Sequence, residues 1–573
     1  MIKLNIDGLD VEVKENSTIL DACKKLNIDV PTLCFLKEIN EVAACRMCLV
    51  EVEGRRDYIP SCVEPAQNGM IVRTSTPKLL KYKKNILELI LSNHNKSCLT
   101  CSRNTNCELQ ALCKKFNIHD IKFEGVKTET IKDTDSSCIV RDTSKCILCK
   151  KCVSVCKNIQ GVCAIESINR GFNTKIGTYK NMSIADSTCV GCGQCIVNCP
   201  TGALKEKDYT KEVYKALNDK NITVVIQTAP AVRATIGEEF GLEPGTLVTG
   251  KMVAGLRLLG FDVVFDTDLA ADITIAEEGN EFIERLNENK LLPMITSCSS
   301  GWITYAEKFY PNSLKYLSTT KSPMEIMGVL IKKYYAKKQK IDNIYSVALM
   351  PCSAKKAEII RKELLIDGKQ MVDNVITTRE VARMFKENNI DISKLSDSNF
   401  DDPLGNASGA GHIFGVSGGV MEAALRSVEK MLTNKDIDNI EFHELRGFKG
   451  IKEATITIKN KKINIAVVQG LKNASKIMDD IKNNTCKYHF VEIMTCPGGC
   501  IMGGGQPINI KYTKEELFTK RSSALYKADT NSDVRISINN DNLKKVYTDY
   551  IDKIDSHKLL HTLYNKQDVY FKK

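Results

Sequence analysis

Residues 2–15 alternate apolar and polar side chains on either side of Asp7-Gly8, the pattern of two short strands joined by a tight turn. Thr18 to Leu26 follows with helical spacing, and Ser17 is its expected cap. Lys78 to Asn93 is also helical in pattern and leads into His94, and residues 123–140 read as a linker plus a strand. Residues 141–205 repeat one supersecondary unit, with cysteine runs 43 positions apart. From about residue 209 the texture changes to short apolar runs separated by helical stretches. The runs Ile222–Ile226, Val263–Phe265, Leu292–Ile295, Val347–Met350, Ile465–Val468 and His489–Ile493 are predicted as buried strands. Three of them run directly into cysteine loops, Thr296-Ser297-Cys298, Met350-Pro351-Cys352 and Met494-Thr495-Cys496. Ligands of α/β proteins bind beyond the carboxyl ends of strands, so three strands delivering sulfur in this way suggest one shared metal site.

Composition sharpens that reading. The 573 residues are 43% hydrophobic and 26% charged, the balance of a globular chain and not of a disordered or fibrous one. No apolar run approaches the ~20 residues that span a bilayer, and the first 20 residues carry no secretory pattern, so a cytoplasmic protein is expected. Of 24 cysteines, 19 lie within the first 199 residues. Without an export signal, such density favours metal over disulfides. The net charge of +11 is interleaved with acids along the chain, which suits a solvated surface or docking of an acidic protein. No recognition motif for nucleic acid accompanies it.

The front of the chain holds three cysteine constellations. Cys34-x10-Cys45-x2-Cys48-x13-Cys62 is close to the plant-type ferredoxin spacing and predicts a [2Fe–2S] cluster, with structural zinc as the alternative. His94-x3-Cys98-x2-Cys101-x5-Cys107 could hold zinc, but its place between two iron–sulfur modules points to a histidine-ligated [4Fe–4S] cluster. Cys146-x2-Cys149-x2-Cys152-x3-Cys156 is matched by Cys189-x2-Cys192-x2-Cys195-x3-Cys199-Pro200, the two-cluster bacterial ferredoxin run. In that run the fourth cysteine serves the other cluster, which pairs Cys199 with Cys146, Cys149 and Cys152, and Cys156 with Cys189, Cys192 and Cys195. Four clusters form an electron wire that must serve a further redox site. No G-x-G-x-x-G follows a strand, so a dinucleotide at its end is weakly supported. The candidate site is Cys496-Pro497-Gly498-Gly499-Cys500 with the loops bearing Cys352 and Cys298.

The whole chain resembles a clostridial-type [FeFe]-hydrogenase, the monomeric form with four accessory clusters. Further landmarks are Thr228-Ala229-Pro230-Ala231-Val232-Arg233, Thr377-Thr378-Arg379-Glu380 and Ser408-Gly409-Ala410-Gly411 through Gly418-Gly419-Val420-Met421-Glu422. The resemblance implies an α+β multidomain chain. Its ferredoxin-like iron–sulfur domains would fill the N-terminal third, and an α/β two-lobed catalytic domain the rest. The expected domains are 1–78 for the [2Fe–2S] domain, 79–122 for the His/Cys3 domain, 123–208 for the two-cluster domain and 209–573 for the catalytic domain. The resemblance also implies an H-cluster, a [4Fe–4S] cubane bridged by a cysteine sulfur to a diiron site with CO, cyanide and a dithiolate amine. By motif match Cys352, Cys496 and Cys500 hold the cubane and Cys500 bridges. Lys355 holds a cyanide, Met350 and Met494 pack on the diiron unit, and Ala229-Pro230 and Ser322-Pro323 line its pocket. The implied reaction is 2 H+ + 2 e− ⇌ H2, with ferredoxin or flavodoxin as electron partner and dedicated proteins maturing the diiron site.

One loop departs from the family. Where it commonly reads T-S-C-C-P-x-W, this chain reads Thr296-Ser297-Cys298-Ser299-Ser300-Gly301-Trp302. Cys298 takes the proton-relay place and Ser299 the place of a cubane ligand. Ser299 could ligate through oxygen, Cys298 could become the ligand, or the cubane could be labile and the protein slow or altered in role. The implied proton route is Cys298, Glu278, Ser318, Glu281 and Arg285. Glu278, Glu281 and Arg285 also share one helix face, where the bland alternative is a surface ion pair. Rival readings are a sensory or assembly-type homologue, the catalytic subunit of an NAD-linked bifurcating hydrogenase, and a subunit like the cluster-bearing one of NADH dehydrogenase. Cys23, Cys113, Cys138, Cys163 and Cys486 match no ligand position and are expected as free thiols, and His119, His412, His443 and His489 as structural or exposed.

Overall fold

The computed structural model describes residues 1–435, 440–448, 450–459, 461–553 and 556–570. The chain divides into two compact units. Unit 1 is Met1–Ile159, Cys163–Ser187 and Asn198–Lys205, and unit 2 is Gln160–Val162, Thr188–Val197 and Glu206–Lys573. The segment Thr188–Val197, which the cysteine repeat put in the 123–208 domain, thus groups with the catalytic chain. Its hydrogen bonds explain this: Gly191 O accepts from Ser353 Oγ at 2.6 Å, and the Gln194 side chain donates from Nε2 to Met502 O at 3.0 Å.

Unit 1 opens with β1 (Ile2–Ile6) and β2 (Leu9–Val13), the expected antiparallel pair about Asp7-Gly8. They join β3 (Leu49–Val52), β4 (Ile59–Pro60) and β5 (Ile71–Arg73) in the order β2-β1-β5-β3-β4. The helix Ile19–Lys25 packs on this sheet through Ile19, Leu20 and Ala22. Its cap is Thr18, not Ser17, because only Thr18 has an acid three residues on. Thr18 Oγ1 accepts from Asp21 N at 3.1 Å while Asp21 Oδ2 accepts from Thr18 N at 3.1 Å, a reciprocal capping box. The helix Pro77–Ser92 ends just before His94.

Unit 2 holds two four-stranded sheets. The first runs β7-β6-β9-β10, all parallel, from β6 (Thr223–Thr228), β7 (Val263–Asp266), β9 (Ile344–Met350) and β10 (Asn374–Thr377). The second runs β8-β13-β12-β11, from β8 (Met294–Ile295), β11 (Ile451–Ile458), β12 (Lys461–Gln469) and β13 (Phe490–Met494), with only β11 antiparallel. The six predicted strands are all present. The two unforeseen ones are the edges: β10 is four residues long, and β11 buries only part of an alternating polar sequence. Val347, Ala348 and Leu349 of β9 are fully buried, and such burial is worth ~1.5–3 kcal/mol for each large apolar side chain. The helix Thr267–Glu288 buries Ile275 and Phe282 against the second sheet's core and Ile273 against the side nearer Phe265.

Candidate metal centres

In unit 1 the sulfurs surround volumes; among the described residues no three His, Cys, Asp or Glu side chains converge as single-ion ligands do. Cys34, Cys45, Cys48 and Cys62 are all buried, and Leu33 N donates to Cys45 Sγ at 3.4 Å. Asn40 is a buried tie that spacing did not reveal: its Nδ2 donates to the carbonyls of Cys34 and, at 3.0 Å, Cys149. His94, Cys98, Cys101 and Cys107 line a cavity of about 390 Å³. His94 Nδ1 is buried without a hydrogen-bond partner among the described residues, and burial and Lys145 push its pKa down to about 4, so the imidazole is a neutral lone-pair donor. Cys113, expected as a bystander, lines the same cavity, and burial raises its thiol to about 11. Cys146, Cys149, Cys152 and Cys199 line another cavity together. Cys156 lies in unit 1, whereas Cys189, Cys192 and Cys195 lie in unit 2.

In unit 2, β9 and β13 deliver Cys352 and Cys496 from their carboxyl ends. Cys500 returns after a turn in which Gly498 and Gly499 both take positive φ. A Cβ at Gly499 would sit 2.5 Å from Ser417 N, so the turn admits no other residue. Cys496 is buried, Cys352 and Cys500 are half-buried, and the three thiols are near enough to feel one another. Desolvation raises each pKa, that of Cys500 to about 12, and Cys352 raises both of the others further. Burial also raises the Cys192 thiol, which feels Cys195 and Cys496, so the last ferredoxin-like loop adjoins this site. The approach is backbone to backbone: a Cβ at Gly504 would lie 2.4 Å from Cys192 O. Arg379 clamps the same loop, donating to Gly504 O at 2.8 Å and pairing with Glu206 at 2.8 Å.

Lys355 is buried, and its Nζ pairs with Glu358 at 2.7 Å. Glu358 also accepts from Ser300 and Ser322. Cys298 is raised well above the usual thiol range by burial, with Glu278 and Cys500 adding to it and Lys355 opposing. Ser299 turns elsewhere: its hydroxyl is 2.9 Å from Thr495 Oγ1 and accepts from Thr495 N at 3.3 Å. Met350 and Ala229 are buried in the first sheet's core, and Met494 and Cys298 pack in the second's. Pro230 and Ser322 are buried and Pro323 is half-buried.

Glu278 is fully buried, and burial, then Glu281, raises its carboxyl to about 7. Ser297 N lies 3.4 Å from its Oε1, and its Oε2 has no hydrogen-bond partner among the described residues. Ser318 Oγ donates to Glu281 Oε2 at 3.0 Å. Arg285 pairs with Glu281 but is buried and also donates to the carbonyls of Leu291, Tyr316 and Leu317. The bland alternative of a surface ion pair therefore does not describe it.

Known proteins decide the family. A profile described as "Iron only hydrogenase large subunit, C-terminal domain" matches residues 222–504, and one described as "Iron hydrogenase small subunit" matches 515–567. The "NADP-reducing hydrogenase subunit HndD" of Solidesulfovibrio fructosivorans is 43% identical over 99% of this chain and 99% of its own. "Iron hydrogenase 1" of Clostridium pasteurianum is 40% identical over 98% of this chain and 99% of its own.

This chain is an [FeFe]-hydrogenase.

A point variant of the apo [FeFe]-hydrogenase HydA1 from Chlamydomonas reinhardtii superposes with a TM-score of 0.55 at 37% identity, covering 62% of this chain and 99% of that one. The front of the hydrogenase matches a "2Fe-2S iron-sulfur cluster binding domain" over 1–77, an "NADH-ubiquinone oxidoreductase-G iron-sulfur binding region" over 83–122 and a "4Fe-4S dicluster domain" over 145–203. Its cofactors are one [2Fe–2S] cluster, three accessory [4Fe–4S] clusters and the H-cluster. The residues present fit these groups. The thiols of Cys352, Cys496 and Cys500 form no disulfide, and Thr228 Oγ1 at the end of β6 and Ser417 Oγ in a turn lack a hydrogen-bond partner among the described residues. His557 and His561 escaped the sequence reading, although their i,i+4 spacing was a legible signal. No described helix is long and apolar enough to cross a membrane.

Proposed function

We propose that this hydrogenase exchanges electrons with a small acidic ferredoxin or flavodoxin in the cytoplasm. Its net charge of +11 and the four accessory clusters support that partner. Cys352, Cys496 and Cys500 would hold the cubane, with Cys500 as the bridge. Lys355 would bind a cyanide, Met350 and Met494 would pack on the diiron unit, and Ala229-Pro230 with Ser322-Pro323 would wall it in. The accessory ligands would be those of the three front constellations. When bound, the H-cluster supplies the electron exchange and the heterolytic chemistry of H2.

The chain's own task is the proton. Cys298 would carry it at Sγ, Glu278 at its carboxyl, and Ser318 would hand it to Glu281. The observation that carries this reading is Glu278, buried, with one oxygen orphaned and its pKa raised to about 7, where a carboxyl both takes and gives protons at neutral pH. The likeness to HndD over nearly the whole chain favours a second reading, in which the hydrogenase is one subunit of a pyridine-nucleotide-linked complex.

Infrared spectra of the matured protein test the site: CO and cyanide bands that shift under H2 are expected, and their absence with intact accessory clusters would sink it. H2 evolution driven by reduced ferredoxin alone tests the partner. Activity only with NAD(P)H and co-purifying subunits would establish the second reading instead.

A further inference from the structure

Hydrogen bonds continue past Glu281 in a direction other than Arg285. Glu281 Oε2 accepts from Thr319 N at 3.0 Å and from Thr319 Oγ1 at 3.3 Å. Thr319 Oγ1 lies 2.8 Å from His561 Nδ1. His561 Nε2 lies 3.1 Å from Glu277 Oε2, and the Tyr547 hydroxyl donates to Glu277 Oε1. His557 stacks on the His561 ring at 4.5 Å, with the planes 10° apart, and is itself exposed.

The C-terminal segment that bears His561 is pinned beside the route. Lys321 N donates to Leu560 O and Thr562 N to Thr319 O, both at 2.8 Å. The Tyr564 hydroxyl donates to Ser318 O at 2.8 Å. Arg285, by contrast, spends its donors on Glu281 and three carbonyls, and a guanidinium does not give up protons in proteins. An imidazole has two nitrogens that take and release a proton near neutral pH.

We propose that His561 is the proton-relay residue that links Glu281 to solvent through the Thr319 hydroxyl, and that Arg285 only positions Glu281. The inference rests on the proton route through Glu278 and Glu281 given above. In the direction of H2 oxidation, protonated Glu281 gives its proton to Thr319 Oγ1 as the hydroxyl's own proton moves to His561 Nδ1. The imidazolium so formed releases its Nε2 proton to the Glu277 carboxylate, Glu277 gives that proton to solvent, and exchange of the Nδ1 proton with solvent restores the starting tautomer. Only O–H and N–H bonds change, and no electrons move. The groups facing His561 are Glu277 from the helix Thr267–Glu288, Thr319 from its loop, and His557 from the preceding turn.

The test compares His561→Gln, Thr319→Val and Glu281→Gln in the matured holoenzyme. His561→Gln keeps a polar side chain that does not titrate; Thr319→Val leaves His561 in place and removes the hydroxyl link. Both are expected to lower H2 oxidation and H2/D+ exchange at least ~10-fold and to raise the solvent deuterium isotope effect. The CO and cyanide bands and the accessory-cluster EPR signals stay unchanged, which a purely structural role would not guarantee. Redox-triggered infrared difference spectra in the carboxylic-acid region are expected to show slower reprotonation in both variants. Added imidazole is expected to rescue His561→Ala in part. If Glu281→Gln is impaired while His561→Gln and Thr319→Val keep parental rates and isotope effects, the relay is overturned and the route stands. If Glu281→Gln also keeps the parental rate, the route itself falls, and the relay with it.

Discussion

The accessory sites of unit 1 and the hydrogen site of unit 2 are built from the same sulfur by opposite means. In unit 1 the thiols come mostly from short loops: His94, Cys98, Cys101 and Cys107 lie within a few turns of chain and line one cavity, and Cys146, Cys149 and Cys152 line another with Cys199 as the distant member. In unit 2, Cys352 and Cys496 arrive from different sheets, and Glu278 from a helix between them in neither. Local sites can be lost one at a time; the convergent site fails as a whole. Cys500→Ser is therefore expected to lower H2 turnover and H2/D+ exchange by ~10³-fold or more while the accessory EPR signals persist. Cys98→Ala should do the reverse, keeping exchange within ~3-fold of the parent while ferredoxin-driven evolution falls ~10-fold. Equal losses in both assays for both variants would erase the contrast.

The next largest effect sharpens the convergent side. Glu278→Gln is expected to cost ~10²–10⁴-fold in turnover, because the amide carries no proton. Its effect on stability has the opposite sign. A carboxyl held at about 7 is costly to ionise when buried, so parental stability falls as pH rises from its unfolded value near 4.5 through about 7. The cost reaches about 3 kcal/mol above that window. Glu278→Gln should flatten this slope in denaturation curves between pH 4.5 and 7.5. An unchanged slope would show that Glu278 does not sit in the environment described.

Arg379 tests the loop that ties the last accessory run to the hydrogen site. Burial alone would raise Glu206, yet Arg379 beside it holds the carboxyl well below its ordinary range. Arg379→Ala leaves Glu206 to Arg383 alone, which pairs with it at 3.1 Å, and frees the Gly504 carbonyl, so a loss of about 1.5–3 kcal/mol is expected by denaturant titration. The Glu206 contribution is present above the ordinary carboxylate pKa and fades as pH falls, so the difference between parent and variant should shrink in acid.

Local patterns were the legible ones. The cysteine runs, the strand pair about Asp7-Gly8 and the six buried strands are written in spacing and apolar runs that neighbours along the chain suffice to reveal. The cap at Thr18 was one residue away, because Asp21 selects it. The edges β10 and β11 escaped for different reasons: β10 is buried but only four residues long, and β11 buries only part of an alternating polar sequence. Asn40, Arg379 and His561 escaped for another reason: each acts on a segment at least a hundred residues away, from Asn40 on Cys149 to His561 on Thr319. Arg379 stood in a recognised motif, but the motif did not say that it clamps Gly504.

The smallest expected effect concerns Ser299, in the loop where the sequence departs from the family's common pattern. By motif match Ser299 would take the place of a cubane ligand, yet its hydroxyl is 2.9 Å from Thr495 Oγ1 and accepts from Thr495 N. A hydroxyl committed to two partners is a poor ligand for iron, which prefers thiolate in such clusters. Ser299→Ala is therefore expected to cost only the lost hydrogen bonds, about 1 kcal/mol in a denaturant titration, with iron content and cubane EPR signal unchanged. Loss of iron from that variant alone would show that the oxygen ligates. The hydrogen site would then share with the front clusters a fourth ligand set by local spacing, and the contrast between the two regions would narrow.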